Sequence, residues 1–452
     1  MQFTTQRLKK SVAMAAAVGC VLGFGLTGCS TGGPSGPTIQ AQAPSTVSGD
    51  IEFWHFFTDR EAEVLQNAVD SFEKKYPDVH VTVKSGQDDE KMRQAIAAGQ
   101  PIDVGLSYST DQVGPLCSSG AFVDLQPFID RDKVDMTQIA EVAQSYTAYE
   151  GKRCSLPALA DTYALYYNTD MFAAAGITTP PKTLDELTDD AVKLTTFNAD
   201  GSIKTLGFMP LLGYYENSEP HWAVMAQAGW LNKDGTSAVG SDAAWQKLYA
   251  WQKNLIDKLG GYKLVSDFQA GLGQEFSEQN DFQTGRVAMN IDGEFRTAFI
   301  ADQAPDVKYA TAPLPLAADK SKAYGAGYIT GNVLGIGKGS TNPEAAWALV
   351  KYLGLDTDAQ VLMGNGLKNV PTVKSALTSP DLEVSDEYKV FLEVYQNPNS
   401  QTAPASIIGS QYQTILGQFS QKWQSGDASD VASGLAEVDQ QINDAVALGS
   451  MG

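Results

Sequence analysis

An α/β fold with two lobes is what this sequence predicts, and two observations carry the prediction. Between Ile51 and Leu106 short alternating apolar runs take turns with helical spacings, in the order strand, helix, strand, helix, strand. The chain also has 452 residues, 43% of them hydrophobic and 19% charged, which is more than one lobe would use.

Ile51 to Trp54 alternates into the first strand. Asp59 to Tyr76 then places Val64, Leu65, Ala68, Val69 and Phe72 on one helical face, and Pro77 stops it. Val79 to Val83 reads as a second strand, Glu90 to Ala98 as a second helix ended by Gly99, and Ile102 to Leu106 as a third strand. This order implies a parallel sheet covered by helices, whose ligands sit at the carboxyl ends of the strands, here Trp54-His55 and Ser107-Tyr108. Leu165 to Asn168 is a further strand, and Thr183 with Glu186 forms a capping-box signature for the next helix. No repeat at solenoid period and no sustained heptad interrupts the alternation.

Ahead of this body lies an export signal. Arg7, Lys9 and Lys10 precede an apolar stretch from Ser11 to Leu26, too short for a membrane span. Leu26-Thr27-Gly28-Cys29 resembles a bacterial lipobox, in which cleavage leaves a diacylated Cys29; residues 1–28 are then the signal peptide. Residues 29–49, rich in Gly, Pro, Ser and Thr, read as a flexible tether. The expected location is extracytoplasmic, with a lipid anchor in the cell membrane.

The formal charge is -21, and loss of the signal's three basic residues deepens it to -24. Such a balance argues against nucleic acid and leaves neutral or cationic ligands open. Beyond the signal only Cys117 and Cys154 remain, an even pair in an oxidising compartment, for which a disulfide is the natural reading and two buried thiols the plain alternative. Three histidines and no CxxC disfavour a zinc site. P-loop, dinucleotide, HExxH and GxSxG signatures are absent, so neither a cofactor nor a catalytic residue is expected.

Four stretches in fixed order resemble the sugar-binding branch of the extracellular solute-binding proteins of ABC importers: IEFWHFF with AVDSFEKKYPDVHVTV, AIAAGQPIDV, GKRCSLPALADTYALYYNTDMFAAAGITTPPKTLDEL, and TGRVAMNIDGEF. GSTNPEAAWALVKYL and GLKNVPTVKSAL extend the likeness. It implies a two-lobed periplasmic-binding-protein-like fold of type II, with discontinuous lobes joined by crossover strands. On this chain the lobes would be residues 50–160 with 327–380, and 161–326 with 381–452. Crossovers are expected near Ala160 to Tyr163 and Tyr324 to Tyr328, with Gly325-Ala326-Gly327 as hinge.

A pyranose presents C–H faces and rings of hydroxyls, so its site needs flat aromatics and carboxylates or amides. The candidates are Trp54, His55, Tyr108 and Asp161 from the first half, Tyr214, Glu219, His221, Trp222 and Trp230 from the segment YYENSEPHWAVMAQAGW, Glu294 and Phe295 from the family's cleft loop, and Tyr328 after the second hinge. Turn, cap or core roles are the plain alternative at each. The implied function is capture of a carbohydrate and its delivery to ABC permease subunits by a monomer that performs no chemistry. A polyamine or other cation in the same fold, or a surface glycoside hydrolase using two opposed carboxylates, are the competing readings.

Overall fold

The structure is a computed structural model that describes residues 37–450. The expected signal peptide and Cys29 lie outside the described residues.

Ten strands form the framework: β1 (Gly49–His55), β2 (Val79–Lys84), β3 (Val104–Ser107), β4 (Leu156–Asn168), β5 (Thr196–Phe197), β6 (Ile203–Phe208), β7 (Val287–Gly293), β8 (Tyr309–Ala312), β9 (Ile329–Ile336) and β10 (Val370–Pro371). Their hydrogen-bonded order is β2-β1-β3-β9-β4-β7-β6-β5, with β8 and β10 also on β4. β1 is parallel to β2 and β3, as the alternation predicted, whereas β9 runs antiparallel to both β3 and β4.

The fold turns on β4, whose 13 residues serve two lobes. Leu156 to Thr162 pair with β9, and Leu159 and Ala160 also with β10; from Tyr163 onward the partners are β7 and β8. The handover falls between Thr162, opposite Ile329, and Tyr163, opposite Gly293. A strand of this length reaches roughly 40 Å, enough to leave one core and enter another. The chain passes between the lobes again ahead of β9, where Tyr328 bridges to Gln401 and the Ile329 N–H donates to the Gln401 carbonyl at 2.8 Å. Gly325 has φ +101°, which only glycine adopts cheaply; Gly327 is required for space, since a Cβ there would meet Val394 Cγ1 at 2.6 Å.

Each lobe has its own core. In lobe one Phe53, Leu65, Val69, Phe72, Leu334 and Trp347 pack together, with Phe128 stacked on Trp347 at 5.2 Å. The helix Asp59–Lys75 buries Leu65, Ala68, Val69 and Phe72, the face its sequence predicts. In lobe two Leu187, Leu206, Phe208, Trp222, Trp245 and Val287 pack with Leu416 and Leu435, so the C-terminal helices Gln411–Ser425 and Val431–Gly449 close that core. The capping box of Thr183 and Glu186 is formed, with Glu186 N donating to Thr183 Oγ1 at 3.2 Å. Cys117 and Cys154 are joined, their Cα atoms 5.5 Å apart, beneath the start of β4.

The tether is shorter than its composition predicts. Ile39 and Val47 pack on the lobe-one core, Gln40 N donates to Glu344 Oε1 at 3.2 Å, and Arg131 Nη1 donates to the Gln40 carbonyl at 3.3 Å. Two apolar side chains and one ion-paired arginine, itself 2.8 Å from Glu344, hold this stretch against lobe one.

Candidate functional site: a cleft between the lobes

The carboxyl ends of β1 and β3 open toward lobe two, and the loops there make one wall of a cavity of about 630 Å³. Phe56 to Glu61 follow β1, Tyr108 follows β3, and Asp161, Asn332 and Asn369 come from β4, β9 and the residue before β10. Phe276, Phe295, Phe299, Asp302 and Gln303 face them from lobe two. Its size is that of ligand sites generally.

Aromatic rings line both sides. Phe56 packs on Phe57 at 4.0 Å and meets Tyr108 edge-on at 5.7 Å, while Phe276 lies 6.0 Å from Phe295 and 5.5 Å from Phe299. Tyr108 and Phe276 are 50% and 54% exposed, so rings this open have free faces to offer. Gly293 permits the Phe295 position, since a Cβ on it would run into that ring. Arg296 lies 5.5 Å from the Phe276 ring and 5.2 Å from the Phe299 ring, fixed by Asp292 Oδ2 at 2.8 Å. Asp59, first residue of its helix, has φ 49°, a strained value for a non-glycine residue.

At the crossover two carboxyl groups share one amide. Asn369 Nδ2 donates to Asp161 Oδ1 and, at 2.9 Å, to Glu294 Oε1, while Thr162 N donates to Glu294 Oε2 at 2.7 Å. Burial pushes Asp161 up to about 7, against the lowering effect of Asn369 and Glu294. Burial, and then the neighbouring Asp161 charge, raise Glu294 well above the usual carboxylate range.

A second acid pair lies in lobe two. Burial, and then the charges of Glu275 and Asp292, raise Glu216 well above the usual carboxylate range, and burial with Asp292 raises Glu275 to about 7. His221 Nε2 stands 3.7 Å from Glu216 Oε2, and its ring packs edge-on against Tyr163 at 4.0 Å and Tyr328 at 4.8 Å. Burial lowers His221 to about 3, so the imidazole is neutral. Arg296 Nη2 stands 3.8 Å from Glu275 Oε1, and both atoms, like His221 Nε2 and Tyr214 Oη, are buried without a hydrogen bond.

Of the residues singled out from sequence, Tyr108, Asp161 and Phe295 line the cavity, and Glu294 lies directly behind Asp161. His221 and Tyr328 are buried at the crossover beside them. The others sit elsewhere. Trp54 is in the lobe-one core, its Nε1 bonded to Glu52, because alternation along β1 turns it to a sheet face where it clusters with Met92 and Ile96. His55 is fully buried between Phe53 and Phe57, and burial lowers it to about 4. Tyr214 stacks on Tyr215 at 4.1 Å, Glu219 is buried at the start of the helix Glu219–Ala226, and Trp222 packs edge-on against Trp251 at 5.2 Å. Trp230 meets Trp245 at 4.8 Å and borders a separate groove of about 1310 Å³. Every residue of the helix Glu219–Ala226 is buried, so Trp222 serves packing.

Sequence reasoning missed Phe56, Asp59, Glu61, Glu216, Glu275, Phe276, Phe299, Asn332 and Asn369. For Phe56 to Glu61 the signal was present, since the chain must pass the carboxyl end of β1 there. Phe276, the one aromatic residue in the stretch GLGQEFSEQND, carried none.

The sequence pattern of the bacterial extracellular solute-binding proteins matches residues 58–360. The maltotriose-binding protein of Pyrococcus abyssi is 23% identical, covering 74% of this chain and 69% of its own. A maltooligosaccharide ABC transporter solute-binding lipoprotein of Streptococcus pneumoniae is 26% identical over 91% of each chain. Among solved structures, mannotriose-bound CpMnBP1 superposes with a TM-score of 0.75, at 24% identity over 87% of this chain and 99% of its own.

Proposed function

The chain belongs to the bacterial extracellular solute-binding proteins, and we propose that it is the carbohydrate-binding lipoprotein of an ABC importer. The observation that carries this reading is the interlobe cavity, where the open rings of Tyr108 and Phe276 and the half-buried ring of Phe295 line the same space as Asp161, Asn332 and Asn369. Rings take sugar C–H faces, and carboxylates and amides take hydroxyls. Relatives named for maltotriose and maltooligosaccharide support the same ligand class.

In this reading lobe one comprises residues 50–160 and 327–380, and lobe two residues 161–326 and 381–452. Cys29 carries the lipid, the monomer closes on its sugar, and permease subunits receive the closed form. No covalent step is required of the protein. Micromolar affinity asks for roughly -8 kcal/mol, which a few stacked rings and satisfied hydrogen bonds supply after the cost of closure.

The test is a thermal-shift screen of the mature chain against mono- and oligosaccharides, polyamines and amino acids. A saturable rise in Tm with one sugar class, and no product formed, is expected. A rise confined to amino acids or polyamines would refute the carbohydrate assignment.

A further inference from the structure

We propose that the sugar this cleft selects carries a basic amine. The inference rests on the carbohydrate reading and narrows it to amino sugars.

Charge in the cavity is one-sided. Asp59, Glu61, Asp161 and Asp302 line it, with Arg60 as its one cationic side chain among the described residues. Arg60 is already engaged: Nη1 donates to the Gly366 carbonyl at 2.5 Å, and Nη2 lies 3.9 Å from Glu61. Arg296, behind the aromatic wall, is fully buried and paired with Asp292. Arg60 thus answers Glu61 alone, and among the described residues no cationic side chain of the lining is left for Asp59, Asp161 and Asp302.

The inventory of donors is equally one-sided. A neutral sugar hydroxyl both gives and takes a hydrogen bond, so its site offers donors as well as acceptors. The Asn369 amide group is committed to Asp161 and Glu294. Thr58, Tyr108, Gln303 and Asn332 remain as side-chain donors, against four carboxyl groups that each accept at two oxygens. An ammonium group reverses the balance, bringing three donors and no acceptor. The walls suit it as well, because Phe56, Tyr108, Phe276 and Phe295 present π-faces that attract a cation beside the carboxylates. A chain of formal charge -21 favours approach of a cationic ligand from solution.

Titration calorimetry on the mature protein tests this with glucosamine and its di- and trisaccharides, their N-acetylated counterparts, and the matching neutral sugars, each at low and high salt. The aminated series should bind roughly tenfold tighter than the N-acetylated series, with an advantage that shrinks as salt rises. Glu61→Gln and Asp302→Asn should each draw the aminated-to-neutral affinity ratio toward one. Neutral sugars that bind as tightly as aminated ones, without salt dependence, overturn the proposal and leave the carbohydrate reading intact. Equally tight binding of a simple polyamine overturns it by removing the sugar's part. Failure of every sugar to bind overturns both.

Discussion

Asp161 and Glu294, one from the strand that enters both lobes and the other from the end of β7, hang on the same Asn369 side chain, whose Nδ2 donates to both carboxyl groups. The link ties the residue before β10 to β4 and to the residue that follows β7. Asn369→Ala should remove the donor from two buried acceptors at once and cost about 1–3 kcal/mol. Urea unfolding should show a lower midpoint with unchanged slope. An unshifted midpoint would mean that solvent replaces the amide freely.

The same burial gives stability a particular pH dependence. Asp89, Asp161 and Glu275 are each raised by burial to about 7. An acid whose folded pKa is raised holds its proton longer when folded, so its contribution is complete below about 4 and is lost as pH rises toward 7. His55 and His221, lowered by burial to about 4 and about 3, act in the opposite sense and cost stability only as pH falls below about 6.5. Between pH 6.5 and 8 the acids act without that offset. Melting temperature should therefore fall across that interval, with each retained proton adding up to about 1.4 kcal/mol per pH unit to the slope. Asp161→Asn and Glu275→Gln should each flatten it. A wild-type profile flat from pH 6 to 8 would contradict the assignment.

What the sequence made legible follows from periodicity and strand ends. Helix Asp59–Lys75, strands β1 to β3 and the Thr183 capping box appear where local spacing placed them, because each is specified by its own residues. The length of β4 was not legible: a strand reads at Leu165 to Asn168, while Leu156 to Ala164, buried except at Asp161, offers no alternation to follow. Aromatic content misled for a related reason. Trp222 and Trp230 suit a sugar site by residue type, but type does not report that the one sits in a wholly buried helix and the other packs on Trp245 after it. Asn369 and Glu216 gain their meaning only through partners 75 and 59 residues away, Glu294 and Glu275, which no local pattern announces.

Phe295 and Tyr108 should separate binding from folding. Phe295 is half-buried and Tyr108 half-exposed at the cavity, so truncation removes a stacking surface more than core volume. Phe295→Ala and Tyr108→Ala should each weaken the ligand about 3- to 10-fold, the equivalent of 0.5–1.5 kcal/mol for one aromatic contact. Phe295→Trp should retain or improve affinity. Calorimetry with the sugar found by the thermal screen provides the comparison, and full affinity in Phe295→Ala would remove that ring from the site.

Trp222 supplies the opposite case. It is 1% exposed, packed against Trp251 in the lobe-two core. Trp222→Ala should destabilise the protein by about 3–5 kcal/mol, the cost of a large core truncation. Affinity measured where the variant is still folded should change little. A loss of affinity larger than the loss of stability would return Trp222 to the ligand.

The bond between Cys117 and Cys154 should act on stability alone. It joins the short helix Val113–Ser118 to the residues leading into β4, and both cysteines are buried with Ile139 and Tyr146. Neither lines the cavity. The bond closes a loop of 37 residues, for which restriction of the unfolded chain predicts about 4 kcal/mol. Replacing both by Ala should lower the melting temperature by that equivalent and leave sugar affinity within about twofold, because the β1 and β3 loops and the β4 handover keep their own contacts. If affinity falls in step with stability, the helix after β3 holds Tyr108 in place, and the bond belongs to the site as well as to the fold.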